Sequence, residues 1–182
     1  MRRTTPFRRE QILAAAQRRF IACGYHGAST RSIEAAAGVA RTVIHHHYRT
    51  KRTLFGAVVD ANLTEFLTDI VAAFKLHPND AHRAAAAVIL NHRSLFHLLT
   101  LDRLELDGSK CRSARARLAM TAHEERFVDA DDWATVVIEM SGWLASARCS
   151  PETLAHVLML AAPSRSHAPD NVVVLRPMAK AS

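Results

Sequence analysis

Between Gly38 and Arg52 the chain concentrates side chains that donate hydrogen bonds: Arg41, Thr42, His45, His46, His47, Arg49 and Lys51, with Val43 among them. Guanidinium and imidazole groups suit phosphate oxygens and the acceptor-rich edges of purines, and a valine can meet a thymine methyl. The chemistry offered is recognition of a polyanion, with no nucleophile or acid–base pair at work. Ala40, Ile44 and Tyr48 recur at i, i+4 and i+8, the spacing of one helix face. With that face buried, Arg41, Thr42, His45 and His46 point outward, and Val43 and His47 lie at the margins.

The charge follows the same pattern. The 182 residues carry a net +7. Residues 1–54 hold eleven Lys/Arg against two acids, Glu10 and Glu34, for +9; the remaining thirteen cations face fifteen acids, for −2. A basic head on a near-neutral body is the electrostatic footprint of a nucleic-acid binder. A membrane surface would attract the same charge, but it has no use for an Arg/Thr/His helix face.

Alanine and leucine are abundant, aromatics make up 6%, and no alternating run suggests a strand, so the fold class is all-α. Apolar spacing predicts a first helix over Phe7–Ala22, stopped by Gly24. Ser29 or Thr30 caps a second helix to about Ala36, Gly38 marks a tight turn, and a third helix runs from about Ala40 to Tyr48. Two short helices around a glycine turn suit a helix-turn-helix. Thr50 caps a long fourth helix to about Leu76, where His77-Pro78-Asn79-Asp80 breaks it. Further helices are expected over Asp80–Leu90, Arg93–Leu106, Cys111–Phe127, Asp131–Ala147 and Glu152–Ala162. The expected organisation is a DNA-binding head (1–50), a helical body (51–162) and a disordered tail (163–182).

The stretch from Arg8 to Phe55 resembles the TetR family of bacterial transcriptional regulators. The matching positions are Ile12-Leu13, Ala15-Ala16, Phe20, Gly24, Thr30, Ala37-Gly38-Val39, His47-Tyr48, and Thr50-Lys51 with Leu54. The resemblance implies a three-helix head followed by a helical bundle that binds a small-molecule effector and dimerises. It implies that Thr30 contacts phosphate and Arg31 a base. Arg41, Thr42, Val43 and His45 become base-facing, His46 shares their outward face, and His47 with Lys51 clamps backbone phosphates. Three positions depart from the family pattern. Ala40 replaces a polar cap, a loss of about 1 kcal/mol; His45 stands where a phosphate-binding tyrosine is usual; Arg52 stands where an acid is usual.

Other chemistries find little support. His45, His46 and His47 point about 100° apart on a helix and cannot converge on one ion, and no His-x3-His pair occurs, so neither a metal nor a cofactor is expected. Gly-x-Gly-x-x-Gly, Walker, Gly-x-Ser-x-Gly and His-Glu-x-x-His patterns are missing, and no enzymatic activity is expected. Cys23, Cys111 and Cys149 have no metal-type spacing and read as reduced thiols. The longest purely apolar run, Ala84–Leu90, is too short to span a bilayer. The chain is expected to be cytoplasmic.

In the body, Phe66, Phe74, Phe96, Leu99, Met120 and Met140 are candidate lining for an effector pocket, with ordinary core as the alternative. Arg112, Arg115 and Arg117 are either an anion site or a solvated face. Trp133, Val136, Val137, Met140, Trp143 and Leu144, with Leu154, Val157, Leu158 and Leu160, suit a helical-hairpin dimer interface. The expected partners are thus a palindromic operator, a second copy of the chain and a small-molecule effector, and the expected function is that of a sequence-specific repressor.

Overall fold

The computed structural model describes residues 5–77, 80–124, 130–140 and 151–161. Among them every regular element is a helix: α1 (Thr5–Gly27), α2 (Thr30–Ala37), α3 (Arg41–His47), α4 (Lys51–Leu76), α5 (Ala81–Asn91), α6 (Arg93–Glu105), α7 (Ser109–Glu124), α8 (Ala130–Glu139) and α9 (Pro151–Ala161). The expected tail over 163–182 lies outside the described residues, as do Trp143 and Leu144.

Local sequence explains where the early helices break. Gly24 interrupts α1 at φ 72, ψ 174, a conformation essentially reserved for glycine, and a further helical turn follows to Gly27. The predicted stop is therefore a kink. Ser29 caps α2 by accepting the Ser32 N–H at 3.0 Å. Gly38 ends it in the left-handed region (φ 62), where its N–H and that of Val39 reach back to Ala35 and Glu34 carbonyls. The third helix is shorter than predicted because Ala40 and Tyr48 are both extended and flank it. Thr50 and Thr53 form a reciprocal capping box that opens α4.

Packing joins head to body without a break. Phe20 of α1 meets Phe55 of α4 edge-on at 5.1 Å and stacks on Tyr25 at 6.0 Å. One contiguous buried cluster runs from Ile12 through Ile33, Ile44, Phe66 and Phe96 to Leu158, crossing the expected boundary at residue 50. Emptying a site such as Phe20, fully buried, costs roughly 3–5 kcal/mol. Helix α1 rests on α2, α4 and α6, while α7 lies against α8, α6 and α4. No single described helix is long and apolar enough to cross a membrane; α5 and α6 meet at 71° across His92, and their apolar residues Ile89, Leu95 and Phe96 are fully buried.

Candidate nucleic-acid interface

The reading surface is built by burying one side of a very short helix. Ile44 and Tyr48 are buried against the core, as their spacing predicts. The Tyr48 hydroxyl accepts a hydrogen bond from Arg9 Nε at 3.3 Å, tying the end of α3 to the start of α1. Thr42, His45 and His46 are consequently exposed, and Val43 and His47 are half-buried. Arg31 is exposed and Thr30 half-buried at the start of α2. The Arg41 side chain lies outside what the structure describes. Helix α3 has no side-chain cap, in keeping with Ala40 at that position.

A cleft of about 370 Å³ opens on this side, lined by Thr42, Val43, His46 and His47 of α3 and by Arg8 of α1. Arg8 was missed by sequence reasoning about the third helix, although the excess of arginines before residue 10 was a signal for it. The His46 and His47 rings lie 5.4 Å apart. Among the described residues no cluster of His, Cys, Asp or Glu has the arrangement of a metal site.

Lys51 is occupied within the protein. Its ammonium donates to the carbonyls of Tyr25 (2.9 Å), Ala28 (3.2 Å) and His26 (3.4 Å), and lies 4.5 Å from the centre of the Tyr25 ring. Three donors meet three acceptors, so a phosphate could be bound only by giving one up. The physical cause is the kink at Gly24: the turn that follows leaves carbonyls unpaired, and the first residue of α4 arrives beside them. Arg52 is likewise engaged, with Asp107 at 2.6 Å.

Phe66, Phe96 and Leu99 are fully buried, with the two rings edge-on at 5.5 Å, and Phe74 packs on Trp133 at 5.8 Å. Met140 packs at the edge of this core. Met120 is 62% exposed and stands apart from the phenylalanines, because α7 turns Leu118, Ala119 and Ala122 inward instead. The basic triplet of α7 also divides. Arg117 reaches Thr64 of α4 at 3.1 Å, whereas Arg112 and Arg115 line a second cleft on the far side of α7.

With this geometry in place, comparison with known proteins is decisive for the head. Residues 12–58 match the family model of bacterial regulatory proteins, tetR family. The head thus carries the tetR-family helix-turn-helix pattern over these residues. Its helix-turn-helix is similar to that of the transcriptional activator FasR of Mycolicibacterium smegmatis, 32% identical over 81 residues, which cover 44% of this chain and 37% of that one. The repressor AcnR of Corynebacterium diphtheriae is 34% identical over 82 residues, covering 38% and 43%. The matched stretch spans about two fifths of the length of these curated relatives. A TetR-like regulator from Rhodococcus sp. RHA1 shares the fold, with a TM-score of 0.66 at 23% identity, over 88% of this chain and 96% of that one.

Proposed function

We propose that this chain is a homodimeric, sequence-specific DNA-binding repressor of the tetR family, released from a palindromic operator by a small-molecule effector, with no catalytic activity of its own. The observation carrying this reading is the exposed face of α3. Thr42, His45 and His46 stand outward while Ile44 and Tyr48 anchor the same helix in the core. A rigid helix that presents donors on one side and is pinned on the other suits the major groove. Arg31, Arg41, Thr42, Val43, His45 and His46 form the reading set, Thr30, His47 and Arg8 hold phosphates, and Lys51 acts in the head indirectly.

Dimerisation is supported by Val136 of α8, Met140 just after it and Val157 of α9, apolar residues that the chain's own packing leaves partly exposed. Trp133, Val137, Leu154 and Leu158 are spent on the internal core. Two heads on one operator multiply affinity through effective concentration.

The test is fluorescence anisotropy with DNA from upstream of the chain's own coding region, over a series of salt concentrations. Sequence-selective binding that weakens steeply with salt, and that Arg31→Ala and Thr42→Ala reduce, is expected. Equal affinity for scrambled DNA would overturn the reading.

A further inference from the structure

We propose that the cleft between α6, α7 and α8 seats a small oxyanion carrying carboxylate or phosphate groups, held by Arg112 and Arg115, and that its occupancy reaches the head through Asp107 and Arg52. The binding half of this statement stands by itself; the coupling half rests on the reading of the chain as an effector-released DNA binder.

The cleft has a volume of about 370 Å³, and Arg103, Cys111, Arg112, Arg115, Ile138 and Glu139 are among its lining residues. That volume is at the small end of ligand pockets, which run from roughly 300 to 1,000 Å³. Its two acids are already matched. Glu139 accepts from Arg103 at 3.1 Å, and Asp107 from Arg52 at 2.6 Å. Arg103 spends a second donor on the Ile138 carbonyl at 3.1 Å. Arg112 spends one donor on the Asp107 carbonyl at 2.9 Å, and the rest of its fork remains. Arg115 lies one helical turn further along the same face of α7. Two guanidinium forks at i and i+3 match the oxygens of a carboxylate or phosphate in a way that ammonium groups do not.

The start of α7 is not the binding element. Its N–H groups at Lys110 and Cys111 are taken by Asp102 Oδ2 at 2.8 and 3.0 Å, and that of Ser109 by Asp107 Oδ1 at 3.1 Å. The positive charge available to a ligand is therefore that of the arginine side chains. Ile138, Leu106 and Cys111 add an apolar border that suits a short carbon skeleton.

The route to the head is short. Arg112 holds the Asp107 carbonyl, the Asp107 carboxylate holds Arg52, and Arg52 sits in the first turn of α4, four residues after Tyr48 closes α3. An oxyanion that draws Arg112 into the cleft competes with the Asp107 carbonyl and frees the loop that positions Arg52. A ligand shifts a conformational equilibrium only through such a difference between states.

Calorimetry and thermal shift on the full chain without DNA, using pyrophosphate and succinate against glycerol and matched sodium chloride, test the site. At least one oxyanion is expected to bind saturably. Arg112→Gln with Arg115→Gln is expected to weaken it by about tenfold or more, as loss of charged hydrogen bonds does. Arg117→Gln is expected to leave it unchanged. No saturable binding of either oxyanion, or full binding by the double variant, would overturn the site; which oxyanion binds distinguishes carboxylate from phosphate. Coupling is then read as the change in DNA affinity on adding the oxyanion. Asp107→Asn is expected to abolish that change without weakening oxyanion binding, which loss of an acid from the cleft can only strengthen, and persistence of the change overturns the relay. If the oxyanion binds but the chain ignores DNA, the site stands and the regulator reading fails.

Discussion

Glu105, the last residue of α6, holds His26 from both sides of its own peptide: its carboxylate accepts the His26 N–H at 2.9 Å, and its carbonyl meets the His26 ring nitrogen Nε2 at 3.1 Å. The contact joins the body to the turn at the end of α1, beside the three carbonyls that hold Lys51. A Cβ at residue 24 would also lie 2.7 Å from Glu105 Oε1, but that is the movable end of a flexible side chain, so it is the backbone conformation (φ 72, ψ 174) that requires glycine there.

Gly24→Ala is expected to destabilise the chain by roughly 1–3 kcal/mol through its backbone conformation, with steric pressure on Glu105 added. Glu105→Ala in the same chain should recover only the steric part. Urea denaturation of the two single variants and the double variant checks this, and a fully additive cycle would refute the contact.

Gly38→Ala tests backbone conformation alone, because a Cβ at Gly38 meets nothing within 4 Å. A loss of about 1 kcal/mol is expected, most of it recovered by Gly38→Asn, which tolerates the left-handed region. The midpoint of urea unfolding is the measurement.

Lys51 and Arg8 should separate stability from DNA contact. Lys51→Met is expected to lower Tm, since it leaves the carbonyls after Gly24 without their donor, and to leave the salt dependence of DNA binding nearly unchanged. Arg8→Ala should do the reverse: an unchanged Tm, and a plot of log affinity against log salt whose slope is shallower by about 0.9. A Lys51 variant with normal Tm and a shallower slope would return Lys51 to the phosphate-clamp role.

Asp107 provides a pH signature. Hydrogen bonds from Ser109, and then the pairing with Arg52, hold its carboxyl at about 2, below the ordinary 3.8. A value depressed by folding means that its contribution is complete above the ordinary value and disappears as pH falls from 3.8 toward about 2. Asp107→Asn is expected to flatten that part of the stability profile. An identical acid limb in the variant would show that Asp107 does not carry it.

The thiols should differ in reactivity. Cys111 is buried and donates to the Leu99 carbonyl at 3.1 Å; burial, and then the nearby Asp102 charge, pushes its pKa up. Cys23 is exposed. In a Cys149→Ser background, iodoacetamide at neutral pH is expected to modify Cys23 promptly and Cys111 only on unfolding, as peptide mass mapping would reveal.

Local rules made the head legible. Ile44 and Tyr48 identified the buried side of α3 by spacing alone, while Ala40, expected on the same face, is exposed because it is the extended residue before the helix; the glycine needed at 38 marked the turn. The body was less so. Phe66, Phe96 and Leu99 have the composition of either a pocket or a core, and only their mutual packing distinguishes the two. Asp102 was invisible in sequence: a buried acid is uncommon, and its task of accepting Lys110 and Cys111 N–H groups exists only once α6 and α7 meet.

The sequence alone determined the helical character, the helix-turn-helix and the outward placement of Thr42, His45 and His46 on α3, because helical period and glycine conformation act over a few neighbouring residues. Tertiary structure decided which charges remain available. Lys51 is taken by carbonyls more than twenty residues away, and Arg52 by Asp107. Arg117 is turned to Thr64 while Arg112 and Arg115 are left beside a cleft. A cation's partner is whatever acceptor folding brings within about 3 Å, and that neighbour is rarely close in sequence.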